Sequence, residues 1–114
     1  MNIEIVQDRG GDCRPNGPPL PAYTASQYSN VALLYLQATL QAGRFPRITT
    51  HFLVDKTAGS HCDPRCFNLT ELYSGISSLL GISATTNFGI VPQYGTGTSD
   101  NLWWSDTVCG GAHP

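Results

Sequence analysis

With 114 residues, 40% of them hydrophobic and 12% charged, the chain has apolar content for one compact core and no room for a second domain of ordinary size. Its formal net charge is -2 and its six basic residues are scattered, so it presents no surface complementary to a phosphate backbone, and no nucleic acid partner is expected. No apolar run approaches the roughly 20 residues that a membrane span needs, and Met1-Asn2-Ile3-Glu4 has neither the basic flank nor the apolar core of a signal peptide. A soluble chain with no membrane span is expected, any export signal lying upstream.

In chain order, Ile3, Glu4, Ile5 and Val6 form a β-prone run that predicts a strand near residues 2–7. The segment 10–21, with three glycines and four prolines, cannot continue it. At Thr24 the pattern changes. Thr24 and Gln27 have capping-box spacing, and Tyr28, Val31, Ala32, Tyr35, Ala38 and Ala42 share one helical face, predicting a helix over 25–42 closed by Gly43. Leu33, Leu34, Leu36 and Leu40 widen that face, so the helix is expected to be covered on more than one side.

After Arg44-Phe45-Pro46, the β-prone run 48–54 contains His51 and predicts a second strand near 47–54. Asn68 and Glu71 repeat the capping-box spacing. Leu69, Leu72, Tyr73, Ile76, Leu79 and Leu80 make a second helical stripe, and Gly81 supplies the stop, for a helix near 68–80. The remainder, 82–114, carries five glycines and the pair Trp103-Trp104 without a clear period, and is read as an irregular extension of a domain spanning 1–81. These elements predict an α/β fold, a mixed β-sheet flanked by helices.

Four cysteines, Cys13, Cys62, Cys66 and Cys109, fit one or two disulfides in an oxidising compartment, with three full pairings open. A zinc ribbon is disfavoured, because Cys62 and Cys66 have no second pair at similar spacing. Asn68-Leu69-Thr70 fits a glycosylation sequon, but a helix N-cap explains Asn68 as well. No glycine-rich phosphate loop and no Gly-x-Ser-x-Gly elbow is present. The chemically able residues are Glu4, His51 and the cluster His61-Cys62-Asp63-Pro64.

These residues carry a resemblance. The runs Asn2-Ile3-Glu4-Ile5, Pro21-Ala22-Tyr23-Thr24-Ala25-Ser26-Gln27-Tyr28, Thr50-His51 and Asp63-Pro64-Arg65-Cys66-Phe67 follow, over about 80 residues, the order of motifs in one enzyme family. That family is the zinc-dependent N-acetylmuramoyl-L-alanine amidases, which include the peptidoglycan recognition proteins; its motifs read GIEI, P(Y/F)TxxQYxxL, a metal-ligand His and DPGxxF. The chain resembles the C-terminal part of that domain. It departs from the pattern in two places: Arg65 stands where the family has Gly after Asp-Pro, and the family's first metal-ligand His lies upstream of the strand at which this chain begins.

The resemblance implies a Zn2+ cofactor held by His51 and Asp63, residue types that zinc accepts in catalytic sites. It implies Glu4 as the general base facing the metal water and His61 as the group that steadies the oxyanion. Tyr23, Trp103 and Trp104 are candidates to pack on the sugar rings of peptidoglycan or a muropeptide. The implied reaction is hydrolysis of the amide between N-acetylmuramic acid and L-alanine, in the periplasm, the extracellular space or the cell wall. Because one ligand is missing and the long helix is broadly apolar, the chain alone is expected to be a poor enzyme, completed by an N-terminal segment or a second copy. The alternatives are a non-catalytic peptidoglycan-binding module and a small disulfide-stabilised secreted inhibitor or toxin.

Overall fold

The computed structural model describes residues 2–5, 17–51, 62–82, 104 and 106–111. Three helices lie among them: α1 (Ala25–Ala42), α2 (Leu69–Leu80) and the single turn α3 (Asp106–Cys109). None of the described helices is long and apolar enough to cross a membrane. Contacts along the chain cluster into two units. The first joins 1–4, 23–48 and 68–90, and the second joins 5–22, 49–67 and 91–114.

In the first unit α1 starts because Thr24, in extended conformation, turns its hydroxyl to accept from the Gln27 backbone N–H, while the Gln27 side chain accepts from the Thr24 N–H at 2.8 Å. Two otherwise orphaned donors are satisfied reciprocally. Gly43 ends the helix at φ 67°, a left-handed position that costs glycine nothing. Tyr28, Val31, Ala32 and Tyr35 are buried at helical spacing, and α1 packs against α2.

Asn68 begins α2 by accepting from the Glu71 N–H at 3.1 Å. Its own backbone N–H donates to the Tyr28 hydroxyl at 2.9 Å, so the N-cap explanation of Asn68 describes the structure. Leu69, Leu72, Ile76 and Ser77 form the buried side of α2. Each fully buried aliphatic side chain there contributes roughly 1.5–3 kcal/mol of hydrophobic transfer free energy. Where the helices approach, a Cβ on Gly75 would meet the Ala32 Cβ at 3.7 Å, an ordinary contact. Glycine in a helix interior costs up to about 1 kcal/mol relative to alanine. Gly75→Ala should therefore stabilise the chain by about 0.5–1 kcal/mol in a urea titration, and a lowered midpoint would show that α1 and α2 have no room for the methyl.

The Tyr35 hydroxyl donates to the Pro46 carbonyl at 2.9 Å, holding the chain after α1 against the helix. Burial, and then the neighbouring Tyr35 phenol, push the Tyr73 hydroxyl up to about 12. An unfolded tyrosine titrates near 10, so the folded state holds this proton more tightly. The associated stability is complete below about pH 10 and is lost as the pH rises through about 12. Alkaline unfolding in that window should be shifted upward by Tyr73→Phe; an unchanged alkaline midpoint would contradict this assignment.

The mixed α/β fold expected from the sequence is not what the structure shows. Among the described residues there is no strand and no sheet, and their regular structure is helical. In the β-prone run near 2–7, the described residues 2–5 keep the alternation of exposure, with Ile3 and Ile5 half-buried and Asn2 and Glu4 exposed. They do so without a ladder partner. The described part of the 47–54 run, residues 47–51, contains no strand, and His51 is helical; the rest of both runs lies outside the described residues. β-propensity records how well a side chain suits a pleated, half-buried surface, and it cannot create the neighbouring strand that such a surface requires. The apolar face of α1 also differs from expectation: Leu33, Leu34 and Leu40 are 53%, 40% and 84% exposed. Among the described helices, α2 packs against α1 and leaves these leucines open.

The second unit is tied by covalent and polar links. Cys66 and Cys109 form a disulfide, 43 residues apart in sequence, with Cα atoms 5.2 Å apart. Cys62 is disulfide-bonded as well, and no described cysteine is free. The Leu20 N–H donates to the Val108 carbonyl at 3.2 Å. Cys62, Phe67, Trp104 and Val108 are buried in this unit.

Candidate metal site

His51, a helical residue, follows the irregular segment after α1, where exposure alternates: Thr49 is open, Thr50 is buried and His51 is open again. Asp63 follows Cys62, which is only 1% exposed. Anchored by these buried neighbours, the two side chains meet in the second unit, His51 Nδ1 lying 3.2 Å from Asp63 Oδ2. Both remain about half exposed, at 49% and 51%. An ion pair that open to water is worth at most about 1 kcal/mol to stability. Holding the fold together is therefore not what this pair does best.

The separation is that of a hydrogen bond, and it is also near the spacing of two ligand atoms on one metal ion. Zinc lies about 2.0–2.2 Å from imidazole nitrogen and carboxylate oxygen in tetrahedral sites, which places two such ligand atoms roughly 3.3–3.5 Å from each other. The observed 3.2 Å is close to that edge. Neutral imidazole and ionised carboxylate are both accepted zinc ligands, and the half-open setting leaves room for water or substrate beside them. No group of three or more potential metal-ligating side chains occurs among the described residues.

The family pattern raised a question about the turn after Asp63, since Arg65 occupies a glycine position. Here the left-handed residue of that turn is Cys66, at φ 59°, one position later. Arg65 carries no such conformation and is 3% exposed, so its side chain is accommodated by burial. That burial, and the Cys66–Cys109 pairing, were not legible beforehand: arginine is seldom buried, and cysteine spacing alone leaves three pairings open.

The other candidates are placed as follows. Glu4 is exposed and belongs to the first unit. Tyr23, also in that unit, is 8% exposed and packs edge-on against Tyr28, with ring centroids 6.1 Å apart. Trp104 is 7% exposed and its indole N–H donates to the Gly111 carbonyl at 3.2 Å. Both aromatic rings therefore serve packing here, and neither offers an open face to a sugar. His61 and Trp103 lie outside the described residues. No family model, curated protein or solved structure matches the chain.

Proposed function

We propose that this chain takes part in zinc-dependent hydrolysis of the amide between N-acetylmuramic acid and L-alanine in peptidoglycan. The observation that carries the proposal is the approach of His51 Nδ1 to Asp63 Oδ2 at 3.2 Å, at the two positions that the amidase motifs assign to metal ligands. The ordered series of motifs supports it; a β-sheet forms no part of the support. His51 and Asp63 would hold the ion. When bound, zinc supplies Lewis acidity toward the scissile carbonyl and the attacking water at neutral pH.

The chain's own residues then divide the remaining work. Asp63, fixed between a disulfide-bonded cysteine and a proline, orients the imidazole and supplies negative charge to the site. His61, by its position before Asp63, would donate to the oxyanion; Glu4, which the motif offers as general base, belongs to the first unit. The disulfides accord with an extracellular or periplasmic setting.

The test is incubation of the chain with purified muropeptide, with zinc and with a chelator, reading new L-alanine amino termini by mass spectrometry. Slow zinc-dependent release of the intact stem peptide supports the proposal, and full activity from the monomeric chain alone would show that the ligands are misplaced. Peptidoglycan binding without release would assign a non-catalytic binding module instead, and neither binding nor release would reject both.

A further inference from the structure

We infer that the Cys66–Cys109 disulfide is a reducible latch that holds the Asp63 carboxylate against His51, so that the second unit carries a redox control on this pair. Its consequence for zinc rests on the function proposed above; the latch itself rests on the covalent layout. Asp63 is bracketed by two disulfide-bonded residues, Cys62 immediately before it and Cys66 three positions after. Cys66 sits at φ 59°, a left-handed conformation that a side chain with a Cβ resists. The bridge to α3 keeps the turn in that conformation, and the turn sets where the carboxylate points.

The two sulfurs of the bridge differ in access. Cys66 is 9% exposed, and thiol exchange needs the attacking sulfur to reach its target. Cys109 is half-buried and is followed by Gly110 and Gly111, both exposed. A dithiol reductant therefore meets Cys109 first. Its thiolate bonds to Cys109 Sγ, the Sγ–Sγ bond breaks, and the Cys66 thiolate leaves and takes a proton. The second thiol of the reductant then closes on the mixed disulfide and releases Cys109 as a thiol. Two electrons and two protons pass from the dithiol to the protein, and the reductant departs as its own cyclic disulfide. The turn at 64–66 relaxes once it is free.

The experiment reduces the full chain with a graded amount of dithiol, caps released thiols with iodoacetamide so that they cannot ligate metal, and removes the reagents. Capped positions are read by mass spectrometry, backbone amide exchange by hydrogen–deuterium exchange, and Zn2+ affinity by calorimetry. In the sample where Cys66 and Cys109 are capped and Cys62 is not, the expected result is exchange in residues 62–67 faster by at least about tenfold, with unchanged exchange in α1 and α2. Zinc affinity falls by at least about tenfold in the same sample. Unchanged exchange in 62–67 after selective capping overturns the latch. So does general loss of protection in α1 and α2, which marks the bridge as a global staple. If the oxidised chain binds no zinc, the metal reading fails and the exchange pattern alone decides the latch.

Discussion

Asp63→Ala is expected to weaken zinc binding by at least about 100-fold and to abolish zinc-dependent release of the stem peptide. Loss of an outer-shell group typically costs 10–100-fold in metal affinity or activity, and Asp63 is proposed as an inner-shell ligand, 3.2 Å from His51 Nδ1. His51→Ala should do the same. The double variant should be no worse than either single one in turnover, because residues acting as one unit are not additive. Because both side chains are about half exposed, either change should alter stability by less than about 1 kcal/mol, so loss of function will not be confused with unfolding. Calorimetric Zn2+ titration beside a thermal melt checks both halves. An Asp63→Ala chain that binds zinc as tightly as its parent removes Asp63 from the site.

Ile76→Ala should produce the largest loss of stability of any single aliphatic truncation in α2. The side chain is 0% exposed, on the buried side of α2. Truncating a buried isoleucine costs about 2–5 kcal/mol, the transfer term plus the cavity. Against the roughly 5–15 kcal/mol by which domains are stable, such a loss should lower the melting midpoint by about 10 °C or more. Leu79, on the same helix but 51% exposed, is the control, and Leu79→Ala should cost well under half as much. Equal losses at the two positions would show that the α1–α2 contact is not where the first unit derives its stability.

What could be seen in the sequence follows from how local the information is. The capping residues Thr24 and Asn68 and the left-handed glycines Gly43 and Gly81 act within three or four residues, and the α1 and α2 bounds follow from them. The buried stripes Tyr28-Val31-Ala32-Tyr35 and Leu69-Leu72-Ile76 follow from helical spacing in the same way. A sheet is different. The β-prone runs at 2–7 and 47–54 name strands without naming partners, and their described residues form no strand. Whether an aromatic residue is packed or open is also settled at a distance, as Tyr23 and Trp104 show by being buried. The approach of His51 to Asp63 spans twelve positions; no spacing rule brings them together, and motif order was the sole pointer to them.

Zinc K-edge X-ray absorption on the chain loaded with one equivalent of Zn2+ tests the central claim most directly. His51 and Asp63 provide nitrogen and oxygen, and the described cysteines are all in disulfides. The spectrum should therefore show only light-atom ligands at about 2.0–2.2 Å, with the outer scattering of an imidazole, and no sulfur shell near about 2.3 Å. Loss of the imidazole signature in His51→Ala completes the expected result. A sulfur shell, or failure of the oxidised chain to retain zinc through gel filtration, would contradict a site built on His51 and Asp63.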